Sequence, residues 1–141
     1  MLRSMKDTIK VTNILPGAAL TATDATTSVD NELGGSLMFL VNAGAFTFTS
    51  TNKLSLTVQD SDVDIDGSYA DCVDADLFDA EDGANGIAKI LDSTDDQDTT
   101  HIIHYRGNKR YARLNIVEGG TVSAVVSAVA IQGHLKANPA S

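Results

Sequence analysis

The chain has 141 residues and a formal net charge of −9, with one cysteine, no tryptophan and only 5% aromatic residues. That length fits one ordinary domain with a core of its own, burying roughly 68–70% of the unfolded surface. A single cysteine excludes an intrachain disulfide framework, and no run approaches the ~20 apolar residues of a membrane-spanning helix.

Cys72 has no histidine near it in sequence to activate a thiol, so it reads as a small buried hydrophobe. The opening MLRSMKDTIK lacks the apolar core of a signal peptide, and synthesis in a cytoplasm is the expectation. Charge is segregated. Of 19 acidic residues, 14 fall between Asp60 and Asp98, against one base there, Lys89. This segment is either a set of solvated loops or a cation-binding surface.

The first element is TIKVTNI (Thr8 to Ile14), where apolar and polar residues alternate as in a half-buried strand. Pro16 and Gly17 are expected to break it. The segment ALTATDATTSVDNELGG is a polar loop with one edge strand. SLMFLVN (Ser36 to Asn42) is a continuous apolar run, fitting a strand buried on both faces. AFTFTST alternates again through Phe46 and Phe48. KLSLTVQD (Lys53 to Asp60) puts Leu54, Leu56 and Val58 on one face.

The acidic middle predicts one short helical turn around Val73, Leu77 and Phe78, then a strand over GIAKIL (Gly86 to Leu91) and a loop over STDDQD. THIIHY and RYARLNIV are strands, EGG is a turn, and TVSAVVSAVAIQG (Thr121 to Gly133) is a long strand of small residues. No 3.6-residue period is sustained. Strands recurring every ~8–12 residues predict an all-β, single-domain sandwich with acidic loops, and a jelly roll is one such solution. The domain spans 1–141, with an N-terminal arm over 1–7 and a tail over 134–141, itself an arm or disordered.

HYRGNKRYARLNI (His104 to Ile116) is the most basic stretch of this acidic chain. Gly107-Asn108 between two alternating runs predicts a two-residue hairpin turn with glycine at positive φ. In that register Arg106 faces Lys109, Tyr105 faces Arg110, His104 faces Tyr111 and Ile103 faces Ala112. One face is core, with Tyr105 and Arg110 at its tip. The other carries His104, Arg106, Lys109, Tyr111 and Arg113. The like-charge pair at the tip calls for nearby carboxylates. The face is therefore a solvated surface or an interface to a neighbouring subunit, and charge reversal at Arg113 is expected to weaken attachment while sparing the fold. Nucleic acid is not an expected partner, because the local positive excess is small against an acidic body.

DVDIDG (Asp62 to Gly67) matches the opening of a calcium loop, making Asp62, Asp64 and Asp66 a weak metal candidate. Position twelve is Val73, where a bidentate glutamate belongs, so no metal or other cofactor is expected. His101 and His104 have opposite parity along one strand, a poor start for a metal site. No catalytic triad or carboxylate pair stands out, and no enzyme is expected.

YRGNKRYARLNIVEGGTVSAVVSAVAIQG (Tyr105 to Gly133) resembles the C-terminal region of the capsid cement, or head decoration, proteins of tailed bacteriophages. The features that carry the likeness are a tyrosine–x–glycine turn, a Lys-Arg-Tyr run, a glycine–threonine turn and a small-residue strand ending in glycine. GSLMFLVNAGAFTFTSTNKLSLTVQDSD is similar to the strand pair before the acidic loop in such proteins. The resemblance covers about two thirds of the chain and leaves out the first 33 residues. It implies a β-sandwich or jelly-roll protein on the outer surface of a mature head, bridging subunits of the major capsid protein. It also implies a symmetric homo-oligomer, a trimer ahead of a dimer, with no enzymatic activity and no membrane partner. The rivals are a tail or neck component, a calcium-dependent binding module and, last, a hydrolase using the acidic segment.

Overall fold

The computed structural model describes residues 9–32, 35–80 and 86–133. The arm over 1–7 and the tail over 134–141 lie outside the described residues. In chain order the strands are β1 (Lys10–Leu20), β2 (Asp24–Ala25), β3 (Val29–Asp30), β4 (Ser36–Ala43) and β5 (Lys53–Ser61). They continue as β6 (Ala70–Asp71), β7 (Ile87–Leu91), β8 (Thr99–Tyr105), β9 (Tyr111–Gly119) and β10 (Ala124–Gly133). Short 3-10 turns at Asp66–Ser68, Asp74–Asp76 and Thr94–Asp96 punctuate the acidic middle. No helix among the described residues is long and apolar enough to cross a membrane.

All pairings are antiparallel, in two sheets. The first runs β1-β10-β4-β8. The second has β9 and β5 at its centre, with β2 and β3 sharing the far edge of β9, and β6 and β7 the far edge of β5. Taking each short pair as one interrupted strand leaves eight positions. The first sheet holds the first, eighth, third and sixth, and the second holds the second, seventh, fourth and fifth. Two sheets interleaved in that order are the connectivity of a jelly roll.

Side-chain alternation fills the space between the sheets. Leu37, Phe39 and Val41 of β4 and Leu54, Leu56 and Val58 of β5 have no solvent exposure. β10 contributes the smaller Ala124, Val126, Ala128 and Ala130, all buried. Small residues on one sheet make room for large ones on the other, as close packing demands.

Several sequence expectations change here. β1 does not stop at Pro16 but runs on to Leu20, with register shifts between Asn13 and Leu15 and between Leu15 and Ala18. An edge strand tolerates proline because its missing N–H faces no neighbour, and a bulge absorbs the misfit. The AFTFTST segment is not a strand. It is irregular, with Phe48 buried and Phe46 packed edge-on against it at 5.0 Å.

The largest correction concerns the basic stretch. β8 and β9 do not form a hairpin. β8 pairs with β4 in the first sheet, and β9 pairs with β5 in the second. Residues 106–110 are a crossover between sheets, so Arg106 does not face Lys109, nor His104 Tyr111. The inward parity of Ile103, Tyr105, Ala112, Leu114 and Ile116 is as expected, but the inward sets sit on opposite walls of the core. Gly107 is not at positive φ; among the described glycines Gly86 and Gly120 are. Gly107 is needed because a Cβ there would collide with the hydroxyl and ring of Tyr105.

Tyr105, 1% exposed, crosses the sandwich and donates a 2.7 Å hydrogen bond to Asp60 of β5. A second polar tie is Gln132 of β10, 3% exposed, which donates to the carbonyl of Asp30 at 3.0 Å and to Asn31 Oδ1 at 3.1 Å. Burial holds the Asp60 carboxyl above its ordinary value of 3.8; the Tyr105 hydroxyl opposes the rise and the charge of Asp76 adds to it. The folded state thus holds this proton more tightly than the unfolded chain. The Asp60 contribution is full below the ordinary carboxylate range and is lost as pH rises through the raised value.

Tyr105→Phe removes the donor and leaves a buried carboxylate unsatisfied. A loss of roughly 1–3 kcal/mol is expected, greater at pH 7 than at pH 4, and urea denaturation at the two pH values measures it.

Candidate functional site

The crossover scatters the basic residues, and each has a role within the chain. Lys109 reaches Asp62 at 2.8 Å. Arg110, placed at the core tip by the expected register, is instead exposed. Its guanidinium grips both carboxylate oxygens of Asp30, at 3.1 and 2.9 Å, and reaches Glu32 at 3.1 Å. That hydrogen bonding holds the Asp30 carboxyl below its ordinary value of 3.8. The sign is opposite to that of Asp60: the Asp30 contribution is present above the ordinary range and is lost as pH falls through the lowered value.

Arg113 lies on the outer face of the second sheet, with its side chain only 14% exposed. It bonds Gln59 Oε1 at 3.0 Å and Asp66 at 2.5 Å, and lies 4.2 Å from the ring centre of Tyr69. Tyr111, on the same sheet, stacks under Arg110 at 5.1 Å. His104 is on the outer face of the first sheet, stacked on Phe78 at 4.3 Å, and Arg106 covers the same Phe78 ring at 4.6 Å. Arg106 is also held by Asp74–Asp76: its Nε donates to the Ala75 carbonyl at 2.8 Å and its backbone N–H to the Asp76 carbonyl at 2.7 Å. The five residues expected to share one face therefore occupy two outer faces and the crossover between them. The carboxylates that relieve their charge belong to the same chain, and reversal at Arg113 would disturb the loop it clamps.

The DVDIDG carboxylates diverge. Asp62 takes Lys109, Asp66 takes Arg113, and Asp64 accepts from the hydroxyls of Ser28 at 2.7 Å and Tyr69 at 2.8 Å. They fasten the loop after β5 onto the second sheet. Among the described residues no group of three His, Cys, Asp or Glu is arranged to hold a metal ion. Cys72 is buried, and burial, reinforced by the charge of Asp60, pushes its thiol up to about 12, where it is inert as a nucleophile. His101 points inward at the end of β8 with its Nε2 2.7 Å from the Thr99 hydroxyl, and burial pulls its pKa below 6.5.

A different surface emerges on the first sheet. Register and parity place two rows on its outer face: Val11, Ile131, Met38 and His104 in one, and Asn13, Val129, Leu40 and Ile102 in the other. Six of these eight are apolar, and none is Asp, Glu, Lys or Arg. Ile102 is 68% exposed and Val11 56%; Met38, Leu40, Val129 and Ile131 are half-buried by one another. A cleft of about 280 Å³ opens beside this face at the β8 edge, between Phe78, Ile102 and His104. An antiparallel sheet with one face in a core ordinarily turns polar residues outward. A contiguous apolar outer face marks an interaction site. The sequence carried the signal in SLMFLVN, which fits burial on both faces, but not the register that brings Val129, Ile131 and Ile102 alongside.

No protein-family model matches the chain, and no curated protein matches it.

Because the three DVDIDG carboxylates are engaged with separate partners, millimolar calcium is expected to leave the melting temperature unchanged and to give no heat in isothermal titration. A saturable calcium heat would show that the loop reorganises around the ion.

Proposed function

We propose that this chain is a structural protein of a tailed-bacteriophage virion, a cement or decoration protein that binds the outside of the head and bridges neighbouring capsid subunits. The observation that carries the proposal is the uncharged, apolar outer face on a jelly-roll scaffold. A jelly roll of this kind is a rigid body with a surface to be covered, as a cement protein requires. The likeness of Tyr105 to Gly133 to such proteins supports the same role. The scaffold is disulfide-free, so it suits assembly in a bacterial cytoplasm.

The energetics are those of linkage. A protein that binds the assembled shell and not its loose subunits stabilises the shell in proportion to its occupancy. Several weak contacts on one rigid body act together, because each raises the effective concentration of the next. In this role the chain needs no cofactor and performs no reaction.

Quantitative mass spectrometry on purified phage particles tests the role. The expected copy number is a simple fraction of that of the major shell protein. A handful of copies would assign the chain to the neck or tail, and its absence would overturn the virion role.

A further inference from the structure

We propose that the free edge of β8 is a strand-acceptor site, which takes an extended, cationic peptide segment of another protein by antiparallel backbone pairing beside Thr100 and Ile102. The site lies in the plane of the first sheet rather than on its outer face, and it stands whether or not the chain belongs to a virion.

β8 ends the first sheet, and β4 lies on its other side. The carbonyl of His104 turns away from β4 and accepts the Phe78 N–H at 3.2 Å. Backbone groups of alternate residues point to the same side of a strand, so the N–H and C=O of Ile102 and Thr100 turn that way too. Among the described residues no backbone group pairs with them. The chain itself shows the mode of pairing: Leu77 bridges Tyr105 in the antiparallel sense, and covers the edge only at its end. The opposite edge of the same sheet is defended. β1 carries Pro16 and two register shifts against β10, devices that keep an edge from recruiting another chain. β8 has neither. Its TTHIIHY is rich in β-branched residues and pairs with β4 without a shift.

The surroundings select the occupant. Donors and acceptors at strand spacing are met by an extended backbone, and neighbouring pockets choose its side chains. A peptide residue opposite Ile103 shares its inward parity and meets the cleft of about 280 Å³ lined by Leu77, Phe78 and Ala88, so that position calls for an apolar side chain. At the other end, the turn leading into Thr99 carries Asp92, Asp95 and Asp98, all exposed and without an ion-pair partner among the described residues. Antiparallel pairing brings the C-terminal end of the peptide to that turn, where lysine or arginine is complementary. A second copy offers no such cations, since its own β8 follows the same acidic turn and its net charge is −9.

The probe is the synthetic peptide acetyl-Leu-Val-Thr-Val-Lys-Lys-amide, whose leucine falls opposite Ile103 and whose valines fall opposite Ile102 and Thr100. Titration into the full isotope-labelled chain, followed by NMR, is expected to give a Kd below about 1 mM. The Thr100 and Ile102 amides should exchange fast in the free chain and at least about ten-fold slower at saturation. N-methylation of both valines removes the peptide's donors to β8 and should abolish binding. Glutamates in place of the lysines should weaken it at least about ten-fold at low salt. Ile102→Pro removes one edge N–H and spares the ladder to β4, as edge strands tolerate, and should also weaken binding at least about ten-fold with an unaltered circular dichroism spectrum. No saturable binding up to about 5 mM, undiminished binding of the N-methylated peptide, or slow exchange of both amides in the free chain would each overturn the proposal. Protection in the free chain that rises with its concentration would give the edge to a second copy and overturn it as well.

Discussion

The hydrogen bond from Tyr105 to Asp60 is the interaction on which the rest depends. It forms where the chain leaves β8 in the first sheet and crosses to β9 in the second, and it pins one sheet to the other at that point. A jelly roll requires such crossings, since most consecutive strands lie on opposite walls of the core. Here the crossing chain is drawn tightly over the tyrosine ring. Gly107 has no side chain to obstruct it. The bond also makes a buried carboxyl tolerable. Asp60 resists ionising because of its burial, and the phenol supplies a hydrogen bond that its charged form needs.

Once the crossing is fixed, the distribution of charge follows. The basic run is delivered to the second sheet and to the rim beside it, where the acidic loops pass. Lys109, Arg110 and Arg113 then act as clamps on Asp62, Asp30 and Asp66. An acidic protein concentrates its cations in one run because that run borders several of its own carboxylate-bearing loops. Individually such exposed pairs contribute little. Their value is positional, since they hold long loops against a face that is polar anyway. The two outer rows of the first sheet are left without Asp, Glu, Lys or Arg, and they are the part of the surface that water covers least favourably.

Much of the architecture was legible in the sequence. Alternation in Lys53 to Asp60 and in RYARLNIV, and the small-residue period of Thr121 to Gly133, gave β5, β9 and β10 close to their true limits. Leu54, Leu56 and Val58 face inward as the pattern demands. The pairing of β8 with β9 was not legible. A glycine–asparagine pair between alternating runs is the usual local signature of a hairpin, and only the buried Tyr105 ring reveals that this glycine serves a close approach instead. Parity survives such an error because it is a property of each strand alone. Which residues share a face does not, because that depends on partners distant in sequence. The same limit hid the apolar outer face. Its members come from β1, β4, β8 and β10, and no single segment displays more than two or three of them.

The structure thus presents a rigid sandwich that uses its charges on itself and offers an uncharged sheet face outward. The proposed virion role draws on that face. Met38 lies in the middle of it and provides a direct reporter, since its sulfur oxidises at a rate set by access. The decisive measurement is the rate of Met38 oxidation by dilute peroxide, followed by mass spectrometry, in the free protein and in the protein bound to purified phage heads. Oxidation several-fold slower on the heads than in the free protein is the predicted result. Equal rates in the free and the bound protein would contradict the claim that this face is where the molecule makes its contacts.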